Sequence, residues 1–134
     1  RIADSHLQWL EEKLEDKKDR PVLLMTHHHF SERQADIPCL DCKKEFWDLL
    51  HRYPVIGILN GHTHHHARGM IQDIPYYTAD SLSFCGENLM DGTVRFEETY
   101  GYSLYTVEKG ILIQEKTETI STGKIIDICK GSDL

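Results

Sequence analysis

The first third of the chain alternates between a stretch with helical spacing and a short continuous apolar run. Leucines recur at i, i+3 and i+7 behind Asp4 and Ser5, either of which is a candidate cap, so a helix is predicted to about Lys18. Pro21 to Thr26 is an unbroken apolar run, which is typical of a strand that is covered on both faces.

A second helix and a second apolar run follow. Behind Asp41, another candidate cap, apolar residues recur at helical spacing until Pro54, which prevents the helix from continuing. Val55 to Leu59 is again fully apolar and predicts a second doubly buried strand. Strand, helix and strand in this order predict a βαβ unit with parallel strands, so both strands should end at the same edge of a sheet. In open α/β sheets, ligands bind at that edge.

The rest of the chain predicts antiparallel strands. Short strands are expected around Pro75, and two apolar stretches joined at Glu108 to Gly110 predict a hairpin with Gly110 as the left-handed residue of a three-residue turn. A last short strand is expected from Lys124 to Ile128, whereas residues 82–99 carry no clear pattern. The predicted fold class is therefore α/β, with a βαβ unit followed by antiparallel strands.

Seven of the nine histidines lie in two segments that directly follow the apolar runs. His27 comes after the first predicted strand, and His62 and His64 come after the second. Neighbouring strands lie about 4.8 Å apart, so these three side chains should converge on one rim. Neutral imidazole is a common ligand of divalent metals, and the sequence therefore predicts a metal site formed by His27, His62 and His64.

The other histidines have different candidate roles. One of His28 and His29 is expected to face the site, where it either contacts a phosphate group or supports a metal ligand from behind. The other is expected to pack in the protein interior. The remaining four are interpreted as surface or hydrogen-bonded residues: His6, His51, His65 and His66.

Charge and composition restrict the function. The 15 basic and 22 acidic residues give a net charge of −7, which disfavours broad binding to nucleic acids. No apolar run approaches the roughly 18 residues of a membrane-spanning helix, so no membrane partner is predicted. Four cysteines with one close pair are too few for a disulfide scaffold, which favours a reducing cytoplasm.

Cysteines and carboxylates offer weaker candidates. Cys39 and Cys42 have the spacing of half a zinc site or of a redox pair, but no second pair completes a zinc site. We interpret them as a loop thiol and a core thiol, with a thiol-based redox domain as a distant alternative. Asp73 and Asp80 follow the histidines, and turn roles are favoured for both.

The two histidine segments also resemble a known family. The stretch from Pro21 to Phe30, "PVLLMTHHHF", resembles the strand and His-His-Pro-Pro segment of the calcineurin-like metallophosphoesterases, and "ILNGHTHHH" is similar to their Gly-His-x-His signature. The order, the spacing and the intervening helix match over about residues 4–115. His29 and Phe30 depart from the pattern, since prolines are usual there.

The resemblance implies an activity, a fold and a ligand set. It implies hydrolysis of phosphoesters, in particular phosphodiesters, by two divalent ions (Mn, Fe or Zn), with the substrate class resembling that of the cyclic-nucleotide and glycerophosphodiester phosphodiesterases. His27 and His62 match ligands of one ion, and His64 matches a ligand of the other. The fold implied is the C-terminal half of a β-sandwich flanked by helices.

The family's upstream motifs, which carry the bridging aspartate and an asparagine ligand, have no match here. Residues 1–134 are therefore expected to be the C-terminal part of a single domain whose N-terminal half is its partner, and the chain alone is expected to be inactive and prone to form a homo-oligomer. The alternative is a non-catalytic metal-binding module that uses the same histidines. An upstream segment with the missing motifs would favour the enzyme.

Overall fold

A computed structural model describes residues 2–31 and 39–130 of the chain. Two helices are present in these ranges, α1 (Asp4–Glu15) and α2 (Lys44–His51). The seven strands of the same ranges are β1 (Val22–Met25), β2 (Val55–Asn60), β3 (Ala67–Ile71), β4 (Ile74–Thr78), β5 (Cys85–Asn88), β6 (Thr93–Glu108) and β7 (Ile111–Lys130).

The histidine segments follow β1 and β2, two strands of a four-stranded mixed sheet with the order β1-β2-β4-β3. β1 pairs with β2 in parallel, and β2 pairs with β4 in parallel, whereas β3 pairs with β4 as an antiparallel hairpin. The predicted parallel pairing of the two apolar strands is confirmed. A short strand around Pro75 was also predicted, but the parallel pairing of β4 with β2 was not, and this pairing brings the carboxyl ends of three strands to one rim.

The helices cover one face of this sheet. Phe46, Leu49 and Leu50 of α2 pack with Ile58 of β2 and with Ile74 and Tyr76 of β4, and all six are almost fully buried. The amphipathic spacing of α2 explains this contact, because its apolar positions lie on one side of the helix. This packing fixes β4 and also β2, the strand that ends before His62.

A three-stranded antiparallel sheet, ordered β5-β6-β7, lies against the other face. Tyr77 of β4 contacts Tyr105 of β6 with ring centroids 5.2 Å apart. Gly57 of β2 lies directly under Leu112 of β7, where an added Cβ would come within 2.5 Å of the leucine side chain. The described residues therefore form a mixed α/β fold with helices on one side and a second sheet on the other.

Several predicted boundaries were wrong. The helices begin behind Ala3 and Lys43, neither of which caps its helix through a side chain, so Asp4, Ser5 and Asp41 are not caps. α1 also ends at Glu15 rather than near Lys18. β1 is half-buried and its Met25 is 73% exposed, so it is not the doubly buried strand that was predicted, and among the described strands it lies at the edge of the sheet.

The β6–β7 turn also differs from the prediction. Glu108 pairs directly with Ile111, so the turn has two residues, and both Lys109 and Gly110 have positive φ values of 51° and 79°. Two central residues with positive φ define a type I′ turn, whose twist suits a two-stranded ribbon. Gly110 has the expected left-handed conformation, whereas that of Lys109 was not predicted. No helix in the described ranges is long and apolar enough to cross a membrane.

Candidate metal centre

The two histidine segments meet at the carboxyl ends of β1 and β2. The backbone N–H of Thr26 donates to the carbonyl of Leu59 at 3.0 Å, and Gly61 N–H donates to the carbonyl of His27 at 3.1 Å. Parallel pairing thus continues beyond the assigned strands by one rung and links His27 to the residue before His62. Backbone pairing thus makes neighbours of His27 and His62, which are 35 positions apart in sequence.

Three imidazoles form a cluster at this rim. The ring centroids of His27 and His62 are 5.1 Å apart, those of His28 and His62 are 4.4 Å apart, and those of His27 and His28 are 5.3 Å apart. His27 and His28 are exposed, and His62 is partly buried. The cluster is therefore open to ions and small molecules from solution.

The closest contact in the cluster joins His27 Nε2 and His62 Nδ1, which are 3.3 Å apart. Two nitrogens bound to one tetrahedral zinc at about 2.0–2.1 Å would lie roughly 3.3–3.4 Å apart. The pair thus fits two ligand positions of a single ion. Within residues 2–31 and 39–130, no group of three or more histidine, cysteine, aspartate or glutamate side chains is arranged to hold a metal.

The charge state of His62 also suits ligation. Partial burial lowers the pKa of His62, and the neighbouring His28, His27 and His64 lower it further. The neutral imidazole is therefore favoured, which is the form that binds metals. Because crowding of like rings lowers the pKa, the cluster itself contributes to keeping His62 unprotonated.

His64 lies beside the cluster and faces a different group. Its ring packs on Phe84 with centroids 4.3 Å apart, and its Nδ1 is buried without a hydrogen-bond partner in the described part of the chain. Burial lowers the pKa of His64, while a backbone hydrogen bond at Phe84 acts in the opposite direction. A buried imidazole nitrogen without a partner leaves a lone pair for a ligand. His64 is not brought into the His27–His62 contact.

Both signature histidines have left-handed backbone conformations, with φ of 74° at His62 and 55° at His64. Such conformations at residues other than glycine cost of order ~1 kcal/mol each and persist where the surrounding structure fixes them. Thr63 between them is 1% exposed, and its N–H donates to Gly61 O at 2.9 Å. The tight turn points the two imidazoles in different directions, His62 towards His27 and His64 towards Phe84.

His28 and His29 occupy different environments. His28 lies in the exposed cluster, whereas His29 is fully buried, and its ring is stacked 6.2 Å from that of His62. The carbonyl of His29 accepts a hydrogen bond from Leu40 N–H at 2.9 Å, which ties this turn to the segment before α2. Of the two, His28 is therefore the one that solvent-borne groups can reach.

His65 is hydrogen-bonded, as interpreted from the sequence, whereas Asp80, for which a turn role was favoured, links strands instead. His65 Nδ1 donates to the carbonyl of Thr63 at 2.6 Å, and its ring lies against Gly86, where an added Cβ would come within 2.4 Å of the imidazole. The Asp80 carboxylate accepts hydrogen bonds from Thr119 and from the Cys85 thiol, and is 3.9 Å from His66 Nδ1. Asp80 thus links the end of β4 to β7. Asp73 does lie in a turn, with a φ of 60°.

A large cleft of the described residues is separate from the cluster. It has a volume of about 1070 Å³ and lies between the start of α2 and β3. Trp47, Tyr76, His65 and Arg68 line it, but His27 and His62 do not. The histidines whose geometry suits a metal therefore lie outside this cleft, at the open rim of the sheet.

Cys39 and Cys42 border the same cleft as free thiols. Cys42 packs against the main core, as predicted, and precedes α2. Burial raises the pKa of Cys42 to about 11, with smaller contributions from Asp41 and Cys39. A redox nucleophile requires a lowered thiol pKa, so the redox alternative is disfavoured at Cys42.

We expect iodoacetamide to label Cys42 slowly at pH 8. The thiolate is the reactive form, and its fraction should rise about tenfold per pH unit below the pKa, so labelling should accelerate steeply towards pH 9.5. Peptide mass spectrometry measures the rate, with N-acetylcysteine in the same reaction as the reference thiol. Labelling of Cys42 at pH 8 as fast as that of N-acetylcysteine would contradict the raised pKa.

Comparison with known proteins finds a partial similarity to a phosphodiesterase. A 3′,5′-cyclic adenosine monophosphate phosphodiesterase CpdA of Vibrio vulnificus (strain CMCP6) is 31% identical to this chain over 68 residues. The match covers 48% of this chain and 25% of the relative, so the chain spans about a quarter of the length of the curated relative it matches. No family model matches the chain. The similarity to a phosphodiesterase agrees with the metallophosphoesterase resemblance of the two histidine segments.

Proposed function

We propose that this chain supplies histidine ligands to a metal-dependent phosphoesterase that hydrolyses small-molecule phosphodiesters. The observation that carries the proposal is the 3.3 Å contact between His27 Nε2 and His62 Nδ1 across the ends of two parallel strands. Partial similarity to a phosphodiesterase supports the reaction class. The proposed setting is the cytoplasm, in keeping with four cysteines that are all free thiols.

In this proposal, His27 and His62 bind one divalent ion and His64 binds a second, with manganese, iron or zinc as the candidates. The neutral imidazole is favoured at His62 and at His64, because burial and crowding lower the pKa of His62 and burial lowers that of His64. Divalent ions at this site would supply the positive charge and Lewis acidity that phosphoester hydrolysis needs. They would also offset the repulsion between an anionic substrate and a chain with a net charge of −7.

His28 is proposed to contact the phosphate. Its ring is exposed and lies 4.4 Å from that of His62, so a group bound beside His62 is within its reach. An imidazole N–H can donate to a phosphate oxygen and orient it. His28 would thus position the substrate without being a metal ligand.

Two imidazoles do not complete a metal site, and imidazole carries no charge to neutralise a pair of dications. We propose that the other ligands, including a bridging carboxylate, come from an N-terminal half of the same domain. The matched fraction of the relative, 25%, is compatible with a larger enzyme domain. The chain by itself is then expected to bind at most one ion weakly.

The test is a substrate panel on the full-length protein, stripped with chelator and reloaded with Mn²⁺, Fe²⁺ or Zn²⁺ in turn. We expect the reloaded protein to hydrolyse bis(p-nitrophenyl) phosphate faster than p-nitrophenyl phosphate, and the stripped protein to hydrolyse neither. Cyclic AMP is included as a natural diester. Stoichiometric metal without hydrolysis of any substrate would instead support the non-catalytic metal-binding module, and absence of metal binding would contradict both functions.

A further inference from the structure

A buried polar network lies directly behind the histidine cluster, between β2 and β4. Thr78 Oγ1 donates to Asn60 Oδ1 at 2.7 Å, and Asn60 Nδ2 donates to the carbonyl of Tyr77 at 3.0 Å. Asn60 is 6% exposed and Thr78 is fully buried. The hydrogen bond between a buried amide and a buried hydroxyl holds the two side chains in one arrangement. Loss of either partner would leave the other as an unpaired buried polar group, which is costly.

The network reaches both histidine segments. The Tyr76 hydroxyl accepts a hydrogen bond from Phe30 N–H at 2.9 Å, across 46 positions of sequence, and so holds the end of the His27–His29 turn. Asn60 immediately precedes Gly61 and His62, and its carbonyl accepts from Ala79 N–H at 3.2 Å. Each histidine segment is therefore attached to β4 by a separate buried contact.

Tyr76 is well suited to this role. It is 4% exposed and lies on the helix-covered face of β4, whereas the adjacent Tyr77 lies on the opposite face against Tyr105. Burial raises the pKa of Tyr76, while hydrogen bonds with Phe30, Thr78 and Asn60 act in the opposite direction. The hydroxyl thus remains neutral at physiological pH and can accept from a backbone N–H.

The cluster needs such a support. His62 and His64 both have strained left-handed conformations, and the Nε2–Nδ1 distance of His27 and His62 depends on the relative position of two separate turns. Backbone pairing fixes that position along the strands through Gly61 and His27. The outward path of the His27–His29 turn depends on two further hydrogen bonds, from Leu40 N–H to the His29 carbonyl and from Phe30 N–H to the Tyr76 hydroxyl.

We infer that Tyr76, Thr78 and Asn60 act as positioning residues for the histidine cluster, holding the His27 turn and the His62 turn at the separation at which both imidazoles bind one ion. This inference rests on the proposed function, because it concerns the same metal. It assigns to the interior of the sheet a role in metal affinity that goes beyond stability. None of the three residues is assigned as a metal ligand.

The experiment measures Zn²⁺ affinity of the full-length protein by competition with a fluorescent chelator. Tyr76→Phe removes only the hydroxyl, and Thr78→Val replaces the hydroxyl by a methyl group of similar size. We expect each to weaken Zn²⁺ binding about 10-fold or more, since loss of a partner that orients a ligand costs roughly 10- to 100-fold in affinity. Tyr77→Phe and Thr78→Ser are the matched controls, and both should stay within about twofold of the natural protein.

A second readout separates positioning from stability. The melting temperature of the metal-free protein reports folding, and the imidazole resonances of His27 and His62 in NMR spectra report the order of the cluster. The inference is supported if Zn²⁺ affinity falls and the imidazole resonances broaden while the metal-free protein still melts cooperatively. If Tyr76→Phe does not fold, the pair Thr78→Val and Thr78→Ser decides, because the serine restores the hydroxyl.

The outcomes distinguish the two proposals. If His27→Ala weakens Zn²⁺ binding but Tyr76→Phe and Thr78→Val do not, the metal site stands and the positioning role is overturned. If His27→Ala leaves Zn²⁺ affinity unchanged, the proposed site is wrong and the positioning role is overturned with it. A Thr78→Ser variant as weak as Thr78→Val would also contradict the role of the hydroxyl.

Discussion

Replacing His27 or His62 by alanine should lower metal content and phosphodiester hydrolysis together in the full-length protein. Each change removes one of two nitrogens that lie 3.3 Å apart and that we assign to one ion. We expect metal affinity to fall by at least about 100-fold. Loss of a group that only hydrogen-bonds to a metal ligand costs roughly 10- to 100-fold, and loss of the ligand itself should cost more. Metal analysis by mass spectrometry and turnover of bis(p-nitrophenyl) phosphate measure the two effects.

His6→Ala is the matched control for these variants. His6 is an exposed histidine on α1 and takes no part in the cluster, so its replacement should leave metal content and turnover unchanged. Stoichiometric metal retained in both the His27 and the His62 variants would show that these imidazoles are not ligands.

The second large effect concerns stability. Leu50 of α2 is 1% exposed and packs on the strands that carry the cluster. Leu50→Ala should reduce the free energy of unfolding by about 3 kcal/mol, because it removes buried methyl groups and leaves a cavity. Urea denaturation followed by far-ultraviolet circular dichroism of the full-length protein measures the change.

Leu82→Ala makes the same chemical change at a side chain that is 74% exposed. It should alter the free energy of unfolding by no more than about 0.5 kcal/mol. Equal effects at Leu50 and Leu82 would mean that the contact between α2 and the sheet is not the main core.

The parallel pairing of β1 and β2 could be predicted because both are continuous apolar runs separated by an amphipathic helix. The same rule did not predict the parallel pairing of β4: a strand was expected around Pro75, but its sequence "IPYYT" contains a proline and two tyrosines and lacks the apolar run of a doubly buried strand. Its place in the sheet depends on Tyr76 packing under the helices and Tyr77 packing on Tyr105. These are contacts between elements, and no local pattern encodes them.

The candidate site shows a similar division. Strand ends and family resemblance indicated His27, His62 and His64, and the structure brings the first two into contact and directs the third towards Phe84. The Asn60–Thr78 pair could not be predicted, because a polar residue at a strand end reads equally well as the start of a loop. The predicted caps were wrong because α1 and α2 begin behind Ala3 and Lys43, and neither helix has a side-chain cap hydrogen bond.

The division of the histidines between two short runs has a consequence for refolding with metal. His27, His28 and His29 are adjacent in sequence, and so are His64, His65 and His66, so each run can chelate an ion before β1 and β2 have paired. An ion that binds the unfolded chain contributes less to stability than its affinity for the folded site suggests. Metal that is present during refolding can therefore bind the two runs on separate ions and keep them apart. We expect a higher yield of correctly loaded protein when metal is added after the sheet has formed than when it is present throughout.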